Sequence, residues 1–129
     1  MLEAGLGFAV DLTKPSGFLG RDAVASLKAA GPLRQRLFQI QLKDPEPMMF
    51  HAEIVRRDGF PVGYLRAASY GHTLGAAVGL AMIRAPDGGA IDQCWIDTGT
   101  WDVEIAHSRY PALASLKPLF DPDNLKIRV

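Results

Sequence analysis

The sequence has few of the features that mark specialised classes of protein. Its single cysteine, Cys94, excludes an internal disulfide and a cysteine-rich zinc site, and it fits a reducing compartment. Lysine plus arginine equals aspartate plus glutamate at 14 each, so no net charge attracts nucleic acid or an acidic membrane surface. No apolar run approaches the ~18 residues of a membrane span, and the N-terminus lacks the basic region of a signal peptide. We therefore expect a soluble intracellular protein with neither nucleic acid nor membrane as partner.

The first 32 residues differ in pattern from the rest of the chain. Four apolar residues recur at helical spacings of three and four, namely Ala23, Val24, Leu27 and Ala30. Gly31 stands where a C-terminal cap belongs, and Pro32 prevents continuation. This pattern predicts a helix over about 20–30. Ahead of it, LGFAVDL predicts a short strand with Phe8 and Val10 on one side.

From Leu33 onward, alternation of period two replaces helical spacing. RLFQIQL places Phe38, Ile40 and Leu42 on one face, and Asp58-Gly59 is typical of a tight hairpin turn. Six strands are predicted in the order RLFQIQL, HAEIVRR, FPVGYLRAASY, AAVGLAMIR, IDQCWID and WDVEIAH. Short turns without intervening helices indicate an antiparallel sheet that is closed into a barrel or folded into a sandwich. We predict a mainly β fold, with a short N-terminal strand and helix followed by an antiparallel six-stranded β-barrel.

The C-terminal stretch SRYPALASLKPLFDPDNLKIRV is rich in proline, and we expect it to be irregular and to wrap the barrel. Its apolar residues are the expected anchors on the barrel wall, namely Leu113, Leu116, Leu119 and Phe120.

The stretch SYGHTLG, from Ser69 to Gly75, is the most suggestive loop, and three chemical interpretations of it are weak. A metal site would need His51, His72 and His107 together, but they lie in different predicted elements. A nucleophilic serine needs a strained elbow with flanking glycines, and a phosphate cradle needs a lysine followed by serine or threonine. Neither pattern is present, so the residues alone indicate a solvent-facing connection, with Cys94 as a small core residue.

Several strings in the same order resemble known families. LEAGLGFAVDLTKPSGFLGRDAV is similar to a stretch of the glycine-cleavage aminomethyltransferase (T-protein) family, whose FIGR signature corresponds here to FLGR at 18–21. SYGHTLGAAVGLAMI resembles a later segment of the same family. The stretch EPMMFHAEIVRRDGFPVGYLRAASYGHTLGAAVGLAMIRAPDGG and the ending SLKPLFDPDNLKIRV are similar to the C-terminal part of the sarcosine and dimethylglycine dehydrogenase family.

The resemblance implies a flavin- and tetrahydrofolate-dependent N-methyl amine dehydrogenase, in which a flavin domain oxidises the amine and a T-protein-like half captures the one-carbon unit on tetrahydrofolate. The chain lacks a complete dinucleotide fingerprint and the family's LEKGYR motif, so it is expected to be a fragment. Residues 1–32 would be a remnant of the folate-binding middle domain and 33–129 the barrel with its tail. FAD would bind in the parent's N-terminal domain, and we expect neither a bound cofactor nor turnover in this fragment alone.

The resemblance also implies candidate folate-binding residues, without any catalytic or metal-binding residue. Lys14 and Arg21 belong to a segment that in relatives places basic side chains near the carboxylates of the folate tail. Tyr70 and His72 would line the outer part of the pocket, against the middle domain. Two alternatives stay open, a non-catalytic structural or regulatory barrel and a glycine-cleavage T-protein fragment.

The expected partner is the rest of the parent polypeptide, in the cytoplasm or, for a eukaryotic protein, the mitochondrial matrix. In its absence four apolar residues of the N-terminal segment would lack their cover, namely Phe8, Val10, Phe18 and Leu19. Exposed apolar area of this kind favours contact with another copy, and a net charge near zero does not oppose it. We therefore expect weak self-association.

Overall fold

The computed structural model describes residues 1–126 and 128. Two short 3-10 turns, Leu2–Ala4 and Leu6–Ala9, precede helix α1. The elements that follow are α1 (Arg21–Ala29), β1 (Gln35–Leu42), β2 (Ile54–Arg57), β3 (Phe60–Gly71), β4 (Ala76–Arg84), α2 (Gln93–Asp97), β5 (Trp101–Ile105) and β6 (Ser108–Ser115). The predicted helix at 20–30 is confirmed as α1.

The six strands form a closed barrel in the order β1-β4-β3-β2-β5-β6, and every neighbouring pair is antiparallel. The predicted mainly β fold with a six-stranded antiparallel barrel is therefore confirmed. Closure occurs between the first and last strands, where Gln39 pairs with Ser115 and Leu42 with Ala112. Because the sheet closes on itself, no strand of the barrel is left with a free edge along its whole length.

Along each strand, every second side chain points into the barrel. Phe38, Ile40 and Leu42 of β1 are fully buried, as the sequence pattern predicts. Residues from the other strands complete the core, among them Val55, Leu65, Ala81, Ile83, Trp101 and Val103. Fully burying an apolar side chain of this size stabilises the fold by about 1.5–3 kcal/mol. These side chains therefore form a packed core inside the barrel.

The predicted Asp58-Gly59 turn is confirmed as the connection between β2 and β3. Both residues adopt positive φ angles, 53° and 82°, which suit a two-residue hairpin turn. The backbone N–H of Asp58 donates to the carbonyl of Thr100, and an Asp58 carboxylate oxygen accepts from the backbone N–H of Thr100 at 2.8 Å. The turn is therefore tied to the segment that leads into β5.

The strand predicted for LGFAVDL is wrong. Leu6–Ala9 forms a 3-10 turn that begins after Gly5, whose φ is +76°. A strand needs a neighbour to pair with its backbone, and the barrel is already closed without this segment. Alternating apolar residues alone therefore misled the prediction.

The strand predicted for IDQCWID is also wrong, because Gln93–Asp97 forms helix α2. Asp92 is its N-cap, and the Asp92 carboxylate accepts a hydrogen bond of 2.8 Å from the backbone N–H of Trp95. Cys94 lies exposed on this helix and is not a core residue. The aspartate that stands before the helix was the signal that the strand prediction passed over.

The expectation of an irregular C-terminal tail is wrong for its first part. Ser108–Ser115 forms β6 and supplies the sixth strand in place of IDQCWID. Leu113 points outward and is exposed, whereas Leu116 is partly buried against the core. Leu119 is half-buried and Phe120 is exposed, so Leu116 is the only one of the four predicted anchors that packs on the core. Residues 127 and 129 of the tail lie outside the described residues.

The N-terminal segment rests lightly on the barrel. None of its described residues from 1 to 33 is buried. Phe8 is 88% exposed and Leu19 is completely exposed, while Phe18 is exposed and Val10 half-buried. Among residues 1–126 and 128, no helix combines the length and apolar character that crossing a membrane requires.

Candidate functional site

Tyr70 and His72 lie together at the hairpin between β3 and β4. Their rings meet edge to face, with centroids 5.2 Å apart; Tyr70 is half-buried and His72 exposed. The hairpin is held by Gly75, which has a φ of +72° and whose backbone N–H donates to the carbonyl of Gly71. The side-chain amide of Gln41 also donates to the carbonyl of Leu74, at 3.4 Å. The loop therefore presents one aromatic and one imidazole ring on a fixed turn.

The glycines that follow this loop serve packing. A Cβ on Gly79 would lie 2.9 Å from the carbonyl oxygen of Ala67 and from a methyl group of Leu65. Such a separation is shorter than van der Waals contact allows, so β3 and β4 approach closely only because residue 79 has no side chain. A strand follows the loop, and the segment offers no helix N-terminus to an anion.

Lys14 lies on the loop before α1, Arg21 is the first residue of α1, and the two side chains have different surroundings. The guanidinium of Arg21 donates through Nε and Nη2 to the carbonyl of Leu12, at 3.1 and 3.0 Å, and lies 3.6 Å from the carboxylate of Asp22. Arg21 therefore holds the loop in shape. The exposed ammonium group of Lys14 has no side-chain hydrogen bond or ion pair within the described part of the chain. Of the two, Lys14 has the charge that is open to a ligand.

Asp11 completes the polar groups of this loop. Hydrogen bonds from the hydroxyl and the backbone N–H of Thr13, at 2.6 and 2.8 Å, hold the pKa of the Asp11 carboxyl below its ordinary value. The carboxylate is exposed, and it satisfies the turn that leads to Lys14. Its role in this structure is to shape the loop.

The four predicted residues form two separate pairs. Tyr70 pairs with Ala77 in the sheet, and the neighbouring Val78 pairs with Gln41 near the end of β1. Leu12, which Arg21 holds, instead lines a cleft with Arg36 near the start of β1. The two ends of β1 are about 20 Å apart at the usual rise per strand residue. The structure therefore does not bring the two pairs into one pocket.

Two cavities lie where the N-terminal segment meets the barrel. One, of about 590 Å³, lies between the end of α1 and the strands β1 and β4, and its charged lining residues are Glu3, Arg34 and Arg84. The other, of about 420 Å³ and here called the Arg36 cleft, is lined by apolar residues of the N-terminal segment and by Leu33 and Arg36. Neither cavity is lined by any of the four predicted residues.

Sequence reasoning missed the Arg36 cleft, although a signal was present. Arg36 has the same parity along β1 as Phe38 and Ile40, so it is a charged residue in the series that points inward. A basic residue in an otherwise apolar series indicates either an ion pair or a ligand.

Other charged groups of the barrel have structural partners. Arg56 and Glu104 form a partly buried ion pair at 2.6 Å on neighbouring strands. Arg57 stacks over the Trp95 ring at 4.4 Å and donates to the Trp95 carbonyl. Within residues 1–126 and 128, no three histidine, cysteine or acidic side chains are grouped as a metal site would require.

Comparison with known proteins places this architecture in a family. The model of the glycine cleavage T-protein C-terminal barrel domain matches residues 35–121, which span the barrel from the first residue of β1 to beyond β6. The chain belongs to this family.

Two curated relatives match almost the whole of this chain. The 4-methylaminobutanoate oxidase (formaldehyde-forming) of Paenarthrobacter nicotinovorans is 38% identical over 126 residues, and the mitochondrial sarcosine dehydrogenase of Homo sapiens is 37% identical over 127. Each match covers 98% of this chain and 14% of the relative. The aminomethyltransferase of Geobacillus kaustophilus is 37% identical over 84 residues, which is 65% of this chain and 22% of the relative. The chain thus spans about a seventh of the first two relatives.

Proposed function

We propose that this family member is part of a flavin- and tetrahydrofolate-dependent N-methyl amine dehydrogenase of the sarcosine dehydrogenase kind. Its role there is to complete the half that binds tetrahydrofolate and captures the one-carbon unit. The observation that carries the proposal is the extent of the matches. Enzymes named for N-methyl amines match 98% of the chain, whereas the aminomethyltransferases match 64–70%. A match to 98% of the chain must include most of the segment that precedes β1, which contains Lys14 and Arg21.

The chemistry of the named substrates supports the same proposal. Sarcosine and 4-methylaminobutanoate are both carboxylates that carry a secondary N-methyl amine, and one of the two relatives is named as forming formaldehyde. When bound, flavin would accept the hydride from such an amine and tetrahydrofolate would carry the carbon. Neither group reacts with this chain, so the contribution of the chain is to bind and to orient.

The exposed ammonium of Lys14 fits the tail of tetrahydrofolate, because that tail carries carboxylates and Lys14 has no competing ion pair among the described residues. Arg21 acts on Lys14 indirectly, through the carbonyl of Leu12. Tyr70 and His72 present ring edges that suit packing against a neighbouring domain at the other end of β1. We propose that residues 1–32 belong to the folate-binding middle domain and that the barrel supplies a wall.

The test is a chimera in which this chain replaces the matching 127 residues of human sarcosine dehydrogenase. We expect the chimera to oxidise sarcosine and, with tetrahydrofolate present, to release less formaldehyde than a version lacking the barrel. Lys14→Gln in the chimera should raise the tetrahydrofolate concentration needed for capture by about tenfold, the typical effect of one charge-assisted hydrogen bond, without slowing sarcosine oxidation.

Lys43→Gln, at another exposed lysine, is the matched control and should leave capture unchanged. If the chimera releases the same formaldehyde with and without the barrel, the barrel is structural only. If Lys14→Gln and Lys43→Gln behave alike, the assignment of Lys14 is wrong. This chain alone is expected to show no turnover with sarcosine and an electron acceptor.

A further inference from the structure

The Arg36 cleft has the composition of a site for a small anion with an apolar body. Its walls come from the 3-10 turns, from α1 and from the start of β1, and they include Leu12, Val24, Leu27 and Leu33. A volume of about 420 Å³ lies within the usual range for small-molecule sites. The walls are apolar in the main, so the body of a ligand there would be hydrophobic.

Arg36 supplies the polar anchor. Its Nε atom is shielded from solvent and has no hydrogen-bond partner among the described residues. No other nitrogen of the Arg36 guanidinium makes a hydrogen bond or ion pair to that part of the chain either. An unsatisfied buried donor destabilises a fold, and a charged donor does so more. The planar guanidinium fork matches a carboxylate, which accepts two parallel hydrogen bonds.

The charge of the lining points to an anion. Lys28 and Arg36 are the two charged residues of the cleft, and no acidic residue lines it. The neighbouring cavity differs in this respect, because Glu3 accompanies its arginines and the Arg84 guanidinium already donates to Gln35 Oε1 at 2.9 Å. No acidic side chain in the lining of the Arg36 cleft therefore neutralises its positive charge.

We propose that the Arg36 cleft binds a small monocarboxylate with an apolar body, whose carboxylate pairs with Arg36 and whose body packs against Leu12, Val24 and Leu33. This site is separate from Lys14, Tyr70 and His72, and it goes beyond the proposed function without resting on it.

The probe is octanoate, titrated into the whole chain labelled with ¹⁵N. The Nε–H resonance of Arg36 is assigned as the signal that disappears in Arg36→Lys. We expect it to shift in a saturable way with octanoate, together with the methyl signals of Val24 and Leu33. Octanol, which has the same chain without the charge, and acetate, which has the charge without the chain, should each bind at least about tenfold more weakly.

Arg36→Gln should weaken octanoate binding by about tenfold or more, while Arg66→Gln, an exposed arginine of β3 that stacks on Tyr64, should leave it unchanged. Val24→Phe fills the cleft and keeps Arg36, so it should abolish binding even if Arg36→Gln does not fold. The near-ultraviolet circular dichroism of Trp95 and Trp101 reports whether each variant keeps the barrel core. The proposal is overturned by the absence of a saturable Arg36 shift, by equal binding of octanol, or by unchanged binding in folded Val24→Phe.

Discussion

Phe38→Ala tests whether the aromatic cluster of Phe38, Trp95 and Trp101 stabilises the fold. Phe38 is fully buried, and its ring centroid lies 5.5 Å from that of Trp101 and 6.5 Å from that of Trp95. Removing a buried phenylalanine ring costs about 3–5 kcal/mol, of which each aromatic pair accounts for about 0.5–1.5 kcal/mol. A loss of this size is a large fraction of the 5–15 kcal/mol that stabilises a typical domain.

The assay is urea unfolding followed by circular dichroism, with the free energy obtained by linear extrapolation. For a chain of this size we expect Tm to fall by roughly 12–20 °C. Phe38→Leu keeps most of the volume and loses the ring contacts, so it should cost about 1–2 kcal/mol. The edge-to-face pair of Trp95 and Trp101 makes the near-ultraviolet spectrum a second measure of the same core.

Phe60→Ala is the matched control, because Phe60 stands at the start of β3 and is 69% exposed. It should change the free energy of unfolding by no more than about 0.5 kcal/mol. If Phe38→Ala costs no more than Phe60→Ala, the core does not depend on the cluster and the reasoning fails.

Three further changes test the turn, the loop and the exposed segment. Asp58→Ala should lower the free energy of unfolding by about 1–3 kcal/mol, because it loses the hydrogen bond from the Thr100 N–H. Asp58→Asn should lose less stability, because asparagine tolerates positive φ. Equal losses of the two variants in urea unfolding would contradict this. Thr13→Val should raise the pKa of Asp11, measured by carboxyl NMR titration. The pKa of Asp11 is lower in the folded than in the unfolded state, so the hydrogen bonds from Thr13 stabilise the fold at neutral pH, and this stabilisation is lost as pH falls through the folded pKa. An unchanged Asp11 pKa in Thr13→Val would argue against the hydrogen bond. Phe8→Ser should weaken self-association in sedimentation runs over a concentration series, and a chain that is monomeric at every concentration would exclude the idea.

The strands that could be predicted are those in which apolar and polar residues alternate and the apolar ones are buried. Phe38, Ile40 and Leu42 repeat with period two and all lie inside, and Asp58-Gly59 marks its turn by residue type. The hairpin between β5 and β6 was not predicted, because its turn residues are Ala106 and His107. They adopt φ angles of 47° and 67°, and no glycine marks the turn in the sequence. A turn of this kind depends on the pairing of β5 with β6, which is a tertiary property.

The arrangement of the candidate site residues could not be predicted for a similar reason. A resemblance suggests residues one by one, so it suggested Lys14 and Tyr70 as candidates but could not show how far apart they lie in the fold. The Arg36 cleft depends on how the N-terminal segment lies across the barrel, which is a tertiary property that the local pattern of residues 1–33 does not specify.

The pairing of β1 with β6 brings the entry and exit of the barrel side by side. Ser115 at the end of β6 pairs with Gln39, only four residues and about 13 Å from the first residue of β1. A unit with adjacent ends can be spliced into a longer polypeptide without disturbing its own strand pairing. For the same reason a circular permutant, joined from 115 to 35 by a short linker and reopened within the hairpin at 72–75, would keep all six strands in register.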